Sequence, residues 1–183
     1  MRTITKESVK GESVMMCDHP NGDWAWKDRN ENWHLIREGI ELTKGFEAKH
    51  VWSFSNGDWQ WRDSYWNYHL MREGEELTAG IEAKRVYSDP SGDWTWRDSY
   101  GNWHLVRDGI ELTQGLTAKW VYSYPSGDWE WKDRFGNYHL IRDGIELTEG
   151  LEAKYVYSYP DGAWEWEDSF GNTHREKGEI WNT

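Results

Sequence analysis

The amino-acid sequence predicts an all-β protein built from five tandem 35-residue repeats, each of about four short antiparallel strands. Three observations predict it. A Gly-x-Trp-x-Trp motif recurs with its glycine at Gly22, Gly57, Gly92, Gly127 and Gly162, without insertion or deletion. A fixed internal period of this length marks a repeat architecture. Within each motif the two tryptophans are two residues apart, the period of a strand. Asp-Gly dipeptides such as Asp108-Gly109 and Asp143-Gly144 then signal tight type I′ hairpin turns between short apolar runs.

The fourth copy shows each element in order. Lys119 to Tyr124 is aromatic and β-branched, a first strand. Pro125 to Asp128 forms a turn. Trp129 to Lys132 alternates and makes the second strand. Asp133 to Asn137 turns again, with Gly136 suited to positive φ. Tyr138 to Arg142 is the third strand, and Ile145 to Thr148 the fourth. The connector Glu149 to Ala153 is too short and too glycine-interrupted for a stable helix. Residues 1–13 are a lead-in or cap strand, with Ile4-Thr5 expected to be extended and docked. Residues 14–183 form a single five-repeat β domain, ending on a fourth strand over Ile180 to Thr183.

Composition supports a core of unusual make-up. Only 37% of the 183 residues are hydrophobic, but 16 are tryptophan, and a buried Trp removes roughly 150–250 Å² from water. A net charge of −12 argues against nucleic acid, which requires clustered Lys and Arg. The single cysteine, Cys17, permits no internal disulfide. No apolar run is long enough to cross a membrane as a helix. Met1 leads into polar sequence rather than an apolar signal segment, so the chain as it stands reads as cytoplasmic.

Comparison of the copies separates fixed positions from free ones. The Trp pair never changes, whereas the residue between its members is Ala25, Gln60, Thr95, Glu130 or Glu165. One face is therefore expected to be core and the other solvated. His34, His69, His104, His139 and His174 also repeat. Repeat symmetry spreads them apart, so they are expected to be structural, bonded to their own turns, and no metal site or cofactor is expected. Arg37, Arg72, Arg107 and Arg142 are expected to pair across strands with Glu41, Glu76, Glu111 and Glu146.

Gly150-Leu151, Ala153 and Val156, followed by Gly162, Trp164, Asp168 and Gly171, resemble the tryptophan-glycine (WG) repeats of bacterial proteins. The third and fourth copies match similarly, and the resemblance covers nearly the whole chain. It departs from that pattern where the glycine after Trp becomes Ala25, Gln60, Thr95, Glu130 or Glu165, and in a slightly longer connector. A sister family of Trp-rich repeats fits as well. The resemblance implies a β-rich interaction repeat and carries over no catalytic residue.

Four strands per copy suit a blade of a five-bladed propeller-like ring. The alternative is an open single-layer or solenoidal β-array. The last copy favours the array, because Leu140-Ile141-Arg142 becomes Arg175-Glu176-Lys177 and Asp128 becomes Ala163, the polar end an open stack requires. No nucleophile–base constellation is visible, and the irregular places are the two ends rather than one pocket. The expected function is non-catalytic binding of a glycan or peptide. A structural protein assembling through exposed β edges is the alternative. Candidate contact residues lie in the turn after the Trp pair: Tyr65, Trp66, Tyr100, Phe135 and Phe170, flanked by Asp98, Asp133, Asn102 and Asn137. Loops carry function more often than strands.

Overall fold

The computed structural model describes residues 3–177, so the strand expected over Ile180 to Thr183 lies outside the described residues. The chain divides into two compact units, Met1–Ser99 and Tyr100–Thr183. The first holds a one-turn helix α1 (Lys6–Val9) and two sheets. One is β1 (Met15–Asp18), β2 (Trp24–Lys27), β3 (Trp33–Arg37) and β4 (Ile40–Glu41). The other is β5 (His50–Ser53), β6 (Trp59–Arg62), β7 (Tyr68–Arg72) and β8 (Glu75–Glu76). A hairpin, β9 (Arg85–Ser88) and β10 (Trp94–Arg97), completes this unit.

The second unit holds the hairpin β11 (Trp103–Arg107) and β12 (Ile110–Glu111). Its first sheet is β13 (Trp120–Ser123), β14 (Trp129–Lys132), β15 (Tyr138–Arg142) and β16 (Ile145–Glu146). Its last sheet is β17 (Tyr155–Ser158), β18 (Trp164–Glu167) and β19 (Thr173–Glu176). Strands lie antiparallel in sequence order within each sheet. The all-β reading and the five repeats therefore hold.

Local chemistry explains where the strands stop. The Asp143-Gly144 turn has φ of 49° and 79°, both positive as a type I′ turn requires. β16 then ends after two residues because a side chain takes over its pairing. The Leu140 N–H donates to Thr148 Oγ1 at 3.0 Å, and the Leu147 N–H donates to the Leu140 carbonyl. Thr43, Thr78 and Thr113 do the same for Leu35, Leu70 and Leu105. All four threonines are buried, so each gives a buried backbone N–H the partner it needs.

Register decides which residues share a face. In the fourth copy Val121, Trp129, Trp131, His139 and Ile141 lie on one face, and Tyr122, Glu130 and Leu140 on the other. The Trp face packs on the preceding copy, where Val121 and Trp129 join Leu105 and Ala118 in one cluster. The opposite face packs on the following copy, where Leu140 meets Ala153, Val156 and Trp164. Copies one and two repeat this: Ala25 and Leu35 pack on Val51, Trp59 and Met71. The expectation of a solvated second face is thus corrected. Ala25 is fully buried and Glu130 only 4% exposed, because in both cases the following copy packs on that face.

The N-terminal expectation is also corrected in form. Ile4-Thr5 is not a strand; Thr5 is the N-cap of α1, its side chain accepting from the Ser8 N–H while Ser8 reciprocates in a capping box. The segment is docked nonetheless, by the Ile4 N–H to the Gly39 carbonyl at 2.9 Å. Val9 and Ile4 pack on Trp26, Ile36, Met16 and Trp24. They cover the Trp face of the first sheet, the face that a closing fifth blade would need. On that local ground the ring expectation is corrected.

Face parity overturns the Arg–Glu pairs as well. Glu41 lies opposite Ile36 and shares the Trp face, whereas Arg37 lies opposite Ile40 on the other face. Arg37 instead grips Asp23 through Nε at 3.0 Å and a terminal nitrogen at 2.7 Å. It also donates to the Gly57 carbonyl of the next copy at 2.8 Å, and Ser53 of that copy donates to Asp23 at 2.5 Å. The same clamp joins Asp58 and Arg72 to Ser88, and Asp128 and Arg142 to Ser158 and Gly162. Burial raises the Asp23 carboxyl, but the bonds from Arg37, Ser53 and Asn21 outweigh it and hold it below the usual range.

Candidate functional site

The turn after each Trp pair is held by its own aspartate. Asp133 Oδ1 accepts from the N–H groups of Phe135 and Asn137, both at 2.8 Å. Burial raises the Asp133 carboxyl, and the donated bonds, led by Asn137, more than reverse it. Asn137 Oδ1 in turn accepts from Lys154 Nζ of the following connector at 2.6 Å. Asn102 accepts equally from Lys119, and Asp98 occupies the aspartate position of the third copy, half-buried. In the fourth copy Asp133 and Asn137 are thus engaged in closing the turn.

A closed turn leaves its tip side chain outside. Tyr65, Tyr100, Phe135 and Phe170 are 80%, 86%, 71% and 88% exposed. Each sits at the same corner of its sheet, between the second and third strands. Copy one carries Asn30 there. Trp66 occupies the left-handed position that Gly101, Gly136 and Gly171 fill elsewhere, with φ of 68°. A bulky residue is strained at such φ. The Arg62 guanidinium lies 4.0 Å from the Trp66 ring centre and holds it in place.

Beneath the tips the second Trp of the pair stacks on the repeated histidine in copies one, two, four and five. Trp61 and His69 lie 4.1 Å apart and 13° from parallel, and Trp131 and His139 4.0 Å apart at 13°. In copies one to four the firm partner of the histidine is the fourth-strand glutamate, whereas His174 bonds its own turn through Asp168 at 3.1 Å, as expected. His139 Nδ1 meets Glu146 at 2.7 Å, whereas Nε2 stands 3.6 Å from Asp133. Because a carboxylate only accepts, Nδ1 carries the proton. This pairing gives both the histidines and the glutamates a structural account. Among the described residues no three His, Cys, Asp or Glu side chains converge as metal ligands.

One inner carboxyl stands apart. Glu130 accepts from the Tyr124 hydroxyl at 2.6 Å between the fourth and fifth copies. Its burial raises its pKa to about 7, more than the Tyr124 bond lowers it.

Two recesses open beside the clamps. In the first unit a 520 Å³ polar groove is lined by Arg37, Asp58, Arg72 and Glu73 and by the Pro90–Gly92 turn. Its arginines are already neutralised by Asp23 and Asp58. In the second unit a 400 Å³ cleft has Trp129, Trp131, Leu112, Leu116 and Ile141 as its apolar wall. Arg107, Gln114, Asp143 and Glu146 form its polar rim. The corresponding place in the first unit holds Phe46, stacked on Trp61 at 4.8 Å and 12°. Sequence reasoning missed both Phe46 and this cleft. The signal was present, since Phe46 is the one aromatic at a position otherwise Ile81, Leu116 or Leu151.

No family model matches the chain, and no curated protein matches it. Solved structures do resemble it. The WD40 β-propeller domain of Doa1 is 14% identical, with a TM-score of 0.36 over 92% of this chain. YCF48 bound to D1 peptide is 8% identical, with a TM-score of 0.40 over 87%. Virginiamycin B lyase from Staphylococcus aureus is 11% identical, with a TM-score of 0.37 over 99%. The chain spans 64% and 62% of the first two proteins. Scores and identities this low transfer neither residue nor activity. No helix among the described residues is long and apolar enough to cross a membrane.

Proposed function

We propose that the chain is a non-catalytic interaction module that displays an aromatic ring at one corner of successive sheets. The observation that carries this reading is the exposure of Tyr65, Tyr100, Phe135 and Phe170, with the turns of Tyr65, Phe135 and Phe170 locked from within. A rigid turn presents its ring at low entropic cost, and repetition adds weak single contacts into useful avidity. Trp66 extends the contact in the second copy. Asp98, Asp133, Asn102 and Asn137 hold the geometry rather than meet the ligand. Residues 14–183 act together as this module, with 1–13 as its lead-in. The WG-type resemblance points the same way. A glycan or a peptide is the ligand class such rings suit.

The test is a glycan and peptide array probed with the parent chain and a Tyr65→Ala, Tyr100→Ala, Phe135→Ala, Phe170→Ala variant. Exposed rings leave folding unchanged when removed, so binding should fall and melting should not. Undiminished binding by a folded variant would sink the proposal.

The alternative, assembly through β edges, is disfavoured at one edge of the first four sheets, while the opposite edge is a four-residue first strand. The fourth strands are two residues long, and short edge strands are poor templates for pairing. Size measured across a concentration series checks this; growth with concentration would favour assembly.

A further inference from the structure

We infer that the cleft beside Trp131 is a second binding site, separate from the turn tips, and that it takes an aromatic residue of a basic peptide. In the first unit the equivalent slot is built on Trp61. One face of its indole is stacked by His69 at 4.1 Å, and Phe46 is stacked at 4.8 Å and 12°. Trp131 has the same backing from His139 at 4.0 Å. The position of Phe46 is Leu116 there, and the space is open, a 400 Å³ cleft walled by Trp129, Trp131 and Ile141. The chain thus contains both a filled and an unfilled version of one slot. The filled version shows which shape the slot accepts: a flat ring lying nearly parallel to the indole. Offset-stacked rings gain stability beyond their buried area.

Charge narrows the occupant. Asp143 and Glu146 stand on the rim, on a chain of net charge −12. The one cation of the lining, Arg107, is tied to the Gly127 carbonyl at 2.6 Å and to Ser123 Oγ at 2.8 Å. Glu146 is engaged by His139, and Asp143 is solvent-exposed. A ring flanked by lysine or arginine matches this rim; a ring flanked by carboxylates does not.

The probe is acetyl-Lys-Phe-Lys-amide, titrated into the full chain and followed on the Trp131 indole N–H resonance, assigned by its loss in Trp131→Phe. The cyclohexylalanine analogue is the control that keeps bulk and removes the aromatic face. We expect the Phe peptide to shift Trp131 saturably and the analogue to bind roughly tenfold more weakly. Leu116→Phe should fill the slot from within and abolish the Trp131 response while the fold is kept. Phe46→Leu should open the first slot and bring a new response at Trp61. Equal binding of the two peptides, an undiminished response in Leu116→Phe, or displacement of the peptide by a methyl glycoside at equal concentration would each overturn the proposal.

Discussion

The first and last sheets face the same problem and solve it differently. The fourth sheet is covered on both faces by neighbouring copies, whereas the first and last sheets of the described residues each have one face that no described repeat covers. The first sheet covers its Trp face with added chain: Val9 and Ile4 lie over Trp26 and Ile36. The last sheet changes composition instead. Arg175 stands where Leu140 stands one copy earlier, opposite Glu165. Both ends show that the repeat is a two-faced unit whose stability lies mostly between copies. A terminal copy is tolerated only if its spare face is either buried by something else or made polar.

The sharpest way to break that comparison is to treat equivalent positions alike. Leu140→Ala removes a fully buried side chain between two sheets and should cost about 2–5 kcal/mol. Arg175→Ala, 35 residues on, should stay within about 0.5 kcal/mol. Denaturant melts of the pair measure both, and similar losses would mean that the last sheet is covered after all.

The clamp gives the next test. Asp58→Ala leaves Arg72 without its buried carboxylate partner and should cost about 3 kcal/mol. Ala163→Asp, which restores the aspartate where the partner position is Lys177, should bring no gain in thermal stability.

Glu130 adds a pH dependence confined to the inner interface. Its carboxyl rises from 4.5 to about 7 on folding, so the folded chain holds a proton that the unfolded chain releases earlier. Stability should therefore fall as pH rises from about 4.5 to about 7 and level off above, by at most about 3 kcal/mol. Glu130→Gln should flatten that slope and melt higher at pH 8. An unchanged pH profile would show that Glu130 is solvated. The smallest effect belongs to the lead-in: Val9→Ala should cost about 1 kcal/mol, read as earlier hydrogen exchange in β1 and β2.

Much of this was legible in the sequence, because repetition and strand parity are local properties. The four strands of copy four and the Asp143-Gly144 turn follow from residue type and spacing. Parity alone would also have separated Arg37 from Glu41, had it been carried through the two-residue fourth strand. The covering of each face was not legible. A varied position such as Ala25, Gln60 or Glu130 reads as exposed when only its own strand is considered. It is buried because the neighbouring copy arrives on top of it, and a neighbour 35 residues away leaves no mark on local periodicity. The helix at Lys6–Val9 escaped for a similar reason: tertiary docking stabilises a single turn that would not persist in isolation.

The clamp also sets what the molecule can become. Its parts are divided between copies, with aspartate and arginine given by one and serine and a carbonyl received from the next. Any inner copy can therefore follow any other, while the two ends cannot be exchanged. Lengthening or shortening the protein by whole inner copies should preserve every junction, so reach and valency can change in discrete steps without a new core having to be invented.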